Sequence, residues 1–580
     1  MFAKYYQGEL LYLRELGRRF GLAHPDVAGF LAERGSDPDV ERLLEGFAFL
    51  TAQIRERVED AVPEIAVALT ELLLPHYART LPAATIVEFA AVPGAVRGRQ
   101  RISRGSELAA VPVDGTSCRF RTTMDVDLLP LTVADLTLDR ATSARPELRL
   151  SFKFQSPGHA AVFHSDGLRL HVHGEPPLAS SLYLWFARHL QEAAIEDSAG
   201  QRISLGPRPL GFPGFAESAA LLPWPRFAPP GYRLLQEYFI LPAKLLFLDV
   251  LGLERGSAIE GERFDLVFTF DRPPELPARP TRDTLRLGCT PAVNLFTTSA
   301  DPVRLDVPGR EHLLRAAEVP PSHMEVYSVD AVVGAKAGRR ERSSYAPFFS
   351  FAHAAGPDPA PYFSLRRRRS ELDDALDTYL SILTPRNVAP GEDEEVLSID
   401  LTCTNRGLPA RLRAGDVSVP TSQSPTTAKF RNISGVTRPV RPPLGSELHW
   451  RLLSHMAMNQ RSIARTDALR ALLALYNFVA EADEQTGLAN RLRIEAIRGV
   501  TATPARRILD GALVRGARLD LELDERGFAS RGDAFLFGAV LDELFAQHVT
   551  LNSFSELGVT LQPSQAKMAW TARSGHRALV

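Results

Sequence analysis

Three amphipathic stretches at the start of the chain, separated by prolines, set the terms for the rest. In the first, Tyr6, Leu10, Leu13, Leu16 and Phe20 recur at intervals of three and four, which places them on one helical face. The second opens with Asp37 as an N-cap and Pro38 at the first helical position, where a missing N–H costs nothing. Val40, Leu43, Leu44, Phe47, Leu50, Ile54 and Val58 then line one side, with Glu41, Arg42, Arg55, Glu56 and Glu59 largely off it. Pro63 restarts a third helix carrying Ile65, Leu69, Leu72 and Leu73, and Pro75 is expected to end it. None of these helices is apolar all round. Each needs a partner for its stripe, so the segment reads as a bundle, or as half of one completed by another chain.

Beyond Tyr77 the texture changes to short runs rich in Val, Thr, Gly and Pro that predict strands and turns up to about residue 150. Leu148, Leu150, Phe152 and Phe154 alternate, as do Leu168, Leu170 and Val172. A helix is predicted over Ser181–Ala193, a connector over Leu221–Tyr232, and a helix then an apolar strand on either side of Pro242. Further strands are expected at Phe264–Asp271 and Val396–Asn405, with a loop over 336–361 and a surface excursion over Thr421–Gly445. Helices at 446–459 and 467–478, an alternating strand through Leu519, Leu521 and Leu523, a helix striped by Phe537, Val540, Leu541, Leu544 and Phe545, and a closing strand complete the chain. The fold class is α+β and multidomain: a helical region (1–80), a β-rich domain (81–230), a second β-rich domain with long loops (231–445) and a mixed C-terminal domain (446–580).

Composition removes several function classes. With 45% hydrophobic and 23% charged residues, and a formal charge of −2, the chain has the make-up of a globular protein without a polyanion footprint. Nucleic acid is therefore not an expected partner. Cys118, Cys289 and Cys403 are too few and too far apart for a disulfide framework or a zinc site, and Cys289, in an apolar setting, reads as a buried structural thiol. The opening residues lack a signal-peptide layout and no long apolar run follows, so the expectation is a cytoplasmic protein with no membrane insertion.

The motifs of serine hydrolases, zinc proteases, P-loops and EF-hands are missing. His171 and His173 share one face of a strand, as metal ligands would, but that side reads as the solvated face of a half-buried strand. His449 and His455 are about 120° apart around a helix and form no pair. Asp373-Asp374 and the run Glu392-Asp393-Glu394-Glu395 have no visible catalytic partner. No catalytic residue, cofactor or metal is expected. The densest basic cluster, Arg366, Arg367, Arg368 and Arg369, lies beside Tyr362, Phe363 and Leu365, an interface-like mix; the alternative is an exposed loop or a strand of alternating arginines.

Particular stretches carry a resemblance. YLRELG (Tyr12–Gly17), AHPDVAG (Ala23–Gly29), SDPDVERLLEGFAFLTAQI (Ser36–Ile54), LLLPHY (Leu72–Tyr77) and IVEF (Ile86–Phe89) resemble the N-terminus of the TssF (ImpG/VasA) family of bacterial type VI secretion. GYRLLQEYFILPAKLLFLDVLGL, HWRLLSHMAMN and FLFGAVLDELFAQHVTLNSF extend the resemblance nearly to the end. It implies a structural scaffold of the baseplate wedge, in which two TssF copies join one TssG, TssK and TssE dock on them, and the wedges surround the VgrG spike below the contractile sheath. It also implies a place at the cytoplasmic face of the inner membrane, reached through the baseplate. Under that reading Tyr6, Leu10, Leu13, Phe20, Leu43, Phe47, Leu50 and Ile54 are candidate contacts to TssG and a second TssF copy, with Arg366–Arg369 a second candidate interface. The other readings are the equivalent wedge protein of a phage-like or extracellular injection particle, and a hydrolase built on the β domains.

Overall fold

A computed structural model of the chain describes residues 2–23, 38–39, 41–54, 75–139, 145–155, 162–163, 167–224, 230–257, 259, 261–305, 310–336, 342–348, 362–370, 373, 375–383, 395–442, 463–509, 511–550 and 552–575. The expected cap at Asp37, the stripe positions Val40 and Val58, and the helix from Pro63 to residue 74 lie outside them. So do the helix at 446–459 with His449 and His455, Asp374, and residues 392–394.

The chain divides into two units, Met1–Ala78 with Pro443–Met456, and Arg79–Pro442 with Ala457–Val580. The first contains helix α1 (Phe2–Ala23), helix α2 (41–54, with 38–39 also helical) and the short helix α3 (Pro75–Ala78). Pro75, expected to end the helix that opens at Pro63, is itself helical, and the residues before it lie outside the described ones.

The second unit is built mostly of antiparallel sheets. In one, Ala84–Ala91 lies between Cys289–Val293 and Ala428–Asn432, and Thr116–Thr122 and Glu107–Val113 continue beyond Cys289–Val293. Its inner face supplies Val87, Phe89, Leu108, Phe120 and Phe430 to one core. The excursion Thr421–Gly445 therefore holds an edge strand, because Phe430 and Ala428 complete that core. In another sheet the alternation Leu148, Leu150, Phe152, Phe154 is buried against Arg263–Phe270, with Phe152 stacked on Phe264. A third core joins Glu325–Lys336 and Glu395–Thr404 to Tyr362–Arg369 and Leu376–Leu383 through Val326, Phe363, Leu380 and Leu401. Part of the expected loop over 336–361 forms short strands, Arg342–Ser344 and Ala346–Pro347.

The helix expected at Ser181–Ala193 is displaced. Helix α4 runs Pro176–Arg188, started by Pro176 and Pro177 in its first turn, and Leu190–Asp197 is a strand whose pairing with Arg263–Phe270 uses Ala193 and Ala194. Helix α5 (Pro230–Ile240) and strand Phe247–Val250 flank Pro242 as expected, and Pro230, Gly231 and Tyr232 of the expected connector belong to the helix. Helices α6 (Thr466–Tyr476) and α7 (Glu484–Glu495), the latter capped by Asp483, precede a long hairpin, Ile497–Leu509 with Ala512–Asp524. Helix α8 (Arg531–Ala546), capped by the Ser530 hydroxyl accepting from the Asp533 N–H, crosses over to Phe554–Gln562, which pairs in parallel with Ala512–Asp524.

Candidate partner-binding surfaces

Helix α2 is amphipathic in the opposite sense from a helix of a free-standing protein. Leu43, Phe47, Leu50 and Ile54, spaced by four, three and four, share one face and are 62%, 59%, 56% and 62% exposed. The opposite face buries Ala48 and Ala52 completely. In α1, Tyr6, Leu10 and Leu13 are half-buried, whereas Leu16 and Phe20 of the same predicted stripe are exposed, together with Leu11, Tyr12 and Leu22. The Arg14 guanidinium donates to the Glu41 carboxylate at 2.7 Å and ties α1 to α2. Covering a large aliphatic or aromatic side chain is worth about 1.5–3 kcal/mol from full exposure. Four such residues on one helical face form a contiguous patch of the sort that marks a protein contact.

The four arginines lie on a strand, Tyr362–Arg369, paired along its length with Leu376–Leu383. Alternation puts Arg366 and Arg368 on one face, where both donate to Glu311, at 3.3 and 2.6 Å, and Arg368 also lies over the Tyr379 ring. Arg367 reaches the Tyr327 carbonyl from the other face, and Arg369 is exposed. The Glu311 carboxylate is thus shared by two guanidiniums of this strand.

Groups that hinted at chemistry are held within the fold. His171 is buried, a correction to its expected solvated position: Phe247 covers the ring and its Nε2–H donates to the Ala243 carbonyl at 3.1 Å. Burial pushes its pKa down to about 3, so the ring is neutral. His173 is half-buried, and among the described residues no cluster of His, Cys, Asp and Glu is arranged to hold a metal. All three cysteines are buried and unbridged, and burial raises each thiol, Cys118 and Cys403 to about 12. Asp373 is paired with Arg406. A cleft of about 590 Å³ contains several arginine–carboxylate pairs, Arg99 and Arg101 on Asp127, Arg169 on Asp249 and Arg286 on Glu88, while Arg104 donates to the Ser218 carbonyl.

One feature escaped the sequence reading. Arg233 and Glu237, one turn apart on α5, and Lys244 are all buried, with Arg233 and Lys244 both on the Glu237 carboxylate at 2.9 and 2.5 Å. Lys244 also donates to the Gly214 carbonyl and Arg233 to that of Phe215, so the cluster clamps Pro213–Phe215 onto α5. Burial pulls the Lys244 pKa down to about 8. The i,i+4 spacing of opposite charges in an otherwise apolar run was the available signal.

Exposed apolar helices, a basic strand and internally cancelled polar groups define an assembly scaffold, a protein whose working parts are surfaces. Comparison with known proteins identifies the scaffold. Residues 1–577 match the family model for TssF of the type VI secretion system. A type VI secretion system component of Pseudomonas aeruginosa, TssF1, is 31% identical over 99% of this chain and 98% of its own length. Among solved structures, a chain of the type VI TssK-TssF-TssG baseplate subcomplex is 32% identical, with a TM-score of 0.79 over 93% of this chain and 99% of that one. A chain of a type VI baseplate complex is 28% identical, with a TM-score of 0.62 over the whole of both. The chain belongs to the TssF family. It is a structural scaffold subunit of the type VI secretion baseplate wedge.

Proposed function

We propose that the exposed faces of α1 and α2 are where this subunit joins its wedge, packing against helices of TssG and of a second copy of the same chain. The observation that carries this is the outward stripe Leu43, Phe47, Leu50, Ile54 over a buried alanine face. Tyr6, Leu10, Leu13 and Phe20 of α1 extend the contact, and Arg366–Arg369 receive a carboxylate-bearing partner surface. A TssK-TssF-TssG subcomplex among the solved relatives supports TssG and TssK as partners. In this reading TssE docks on the same wedge, the wedges surround VgrG beneath the sheath, and the whole sits in the cytoplasm against the inner membrane. No helix among the described residues is long and apolar enough to cross a membrane, which is compatible with recruitment through the baseplate. Contraction is released by interfaces that change packing, with no bond chemistry in this subunit. The test is Phe47→Asp with Leu50→Asp: TssG no longer co-purifies, while circular dichroism shows the chain still folded. A soluble double variant that still assembles the wedge would sink the proposal.

A further inference from the structure

The hairpin Ile497–Leu509/Ala512–Asp524 is longer than the sheet that supports it. Its second strand pairs with Phe554–Gln562 only from Ala517 onward; Gly516 still lies against Phe554 and the Arg515 carbonyl accepts from the Ser553 hydroxyl, so residues 512–514 and their partners run on as a two-stranded ribbon end, roughly 10 Å long at about 3.4 Å per residue. Along one face, cross-strand pairs descend from core to tip: Val500 with Leu521, Ala502 with Leu519, Pro504 with Ala517, Arg506 with Arg515, Ile508 with Leu513. Leu519, Leu521 and Val500 are buried, whereas Ile508 and Leu513 are 74% and 68% exposed. The core face of the sheet thus continues past the core into solvent.

The two faces of the ribbon differ in charge. On the outer face Arg507 is paired with Glu556 and Arg518 with Asp520. On the inner face Arg506 and Arg515 stand directly opposite each other, and neither has an ion pair among the described residues. Like charges opposed across two strands are unfavourable unless a counter-charge is supplied. An exposed apolar pair at the tip flanked by two uncompensated guanidiniums matches an apolar pocket rimmed by carboxylates. Strand addition fits less well: Pro504 on the edge strand has no N–H to give, and prolines and charges are what protect such edges. An anionic bilayer also fits less well, because polybasic membrane contacts use clusters of about four to eight cations.

We propose that the ribbon end is a docking finger: Ile508 and Leu513 enter an apolar pocket on a different protein subunit of the baseplate, and Arg506 and Arg515 meet carboxylates at its rim. The proposal rests on the scaffold role and adds a second surface, on a different unit from the α1–α2 face.

The experiment places a photo-crosslinking amino acid at position 508 of the full chain, in cells with an active secretion system, and maps the crosslinked peptide. The expected product joins position 508 to a carboxylate-rich surface of another baseplate subunit. Arg506→Glu with Arg515→Glu lowers its yield about tenfold or more, and exchanging the partner's carboxylates for arginine restores it. The ribbon lies outside the core, so the double variant keeps its Tm and its TssG co-purification. Crosslinking to a second copy of this chain overturns the proposal, as does a charge-reversal defect seen only in binding to phosphatidylglycerol vesicles. Retention of TssG with no specific crosslink overturns the finger alone, whereas absence of every baseplate protein from the wild-type purification would count against the scaffold role itself.

Discussion

His171 and Glu237 show how individual buried groups are held. His171 is neutral in the fold with a pKa near 3, against an ordinary value of 6.5. The unfolded chain takes up a proton below pH 6.5 that the folded chain refuses, so stability is fully present above 6.5 and falls as the pH drops toward 3. The slope is about 1.4 kcal/mol per pH unit within that window. Denaturation midpoints of wild type and His171→Gln should diverge there and run parallel above pH 7; parallel curves throughout would mean that the ring is not held neutral. Glu237 is the only carboxylate among the three buried charges of its cluster. Glu237→Ala leaves two cations uncompensated and should cost about 3–5 kcal/mol, read as a large fall in Tm. Replacing Arg233, Glu237 and Lys244 together by apolar residues of similar size should recover most of it, since the desolvation of the charges goes with them.

Helix α8 is organised by its first turn. Ser530 caps it, and the Ser530 hydroxyl lies 2.9 Å from that of Ser180 on α4. Gly532 is there because a Cβ would come within 2.1 Å of the Ser180 carbonyl oxygen, so the two helices approach backbone to backbone. At an open helical site Gly→Ala stabilises by about 1 kcal/mol. Here Gly532→Ala should destabilise by about 1–3 kcal/mol through overpacking, and a raised Tm would show that α4 and α8 are not in such close contact. The sequence announced α8 by its apolar stripe but gave no hint of α4 as its neighbour. The hairpin does carry a local signal: Asp510-Gly511 between two β-like runs is a two-residue turn sequence, and Gly511 has the positive φ, 81°, that such a turn requires.

For the molecule as a whole, the exposed stripe of α2 makes an isolated subunit prone to self-association. The purified chain should show concentration-dependent association by light scattering, and Leu43→Ser with Phe47→Ser should reduce it without lowering Tm, because those side chains are already in solvent. Equal association by the variant would shift the sticky surface elsewhere. Coexpression with TssG should suppress the association of the wild type.

Local periodicity determined a good deal here. The α1 and α2 stripes, the alternating strands at Leu148–Phe154 and Leu519–Leu523, and the break at Pro242 are all readable because helix and strand impose 3.6- and 2-residue repeats on short windows. Resemblance in long blocks then pointed to the family. Only the tertiary structure decided what those windows face. Ala428–Asn432 completes a sheet with Ala84–Ala91, and the Ala84 N–H bonds the Thr437 hydroxyl 353 residues away. Such pairings leave no local signature. The same holds for His171, whose alternation with Leu170 and Val172 was visible while the Phe247 ring and Ala243 carbonyl that cover its other side were not. It holds again for Leu43 to Ile54: the apolar stripe was legible, but that it faces solvent over buried alanines depends on which side packs. Periodicity reports that a face is apolar; burial is a property of the groups brought against it, and those come from elsewhere in the chain or from another one.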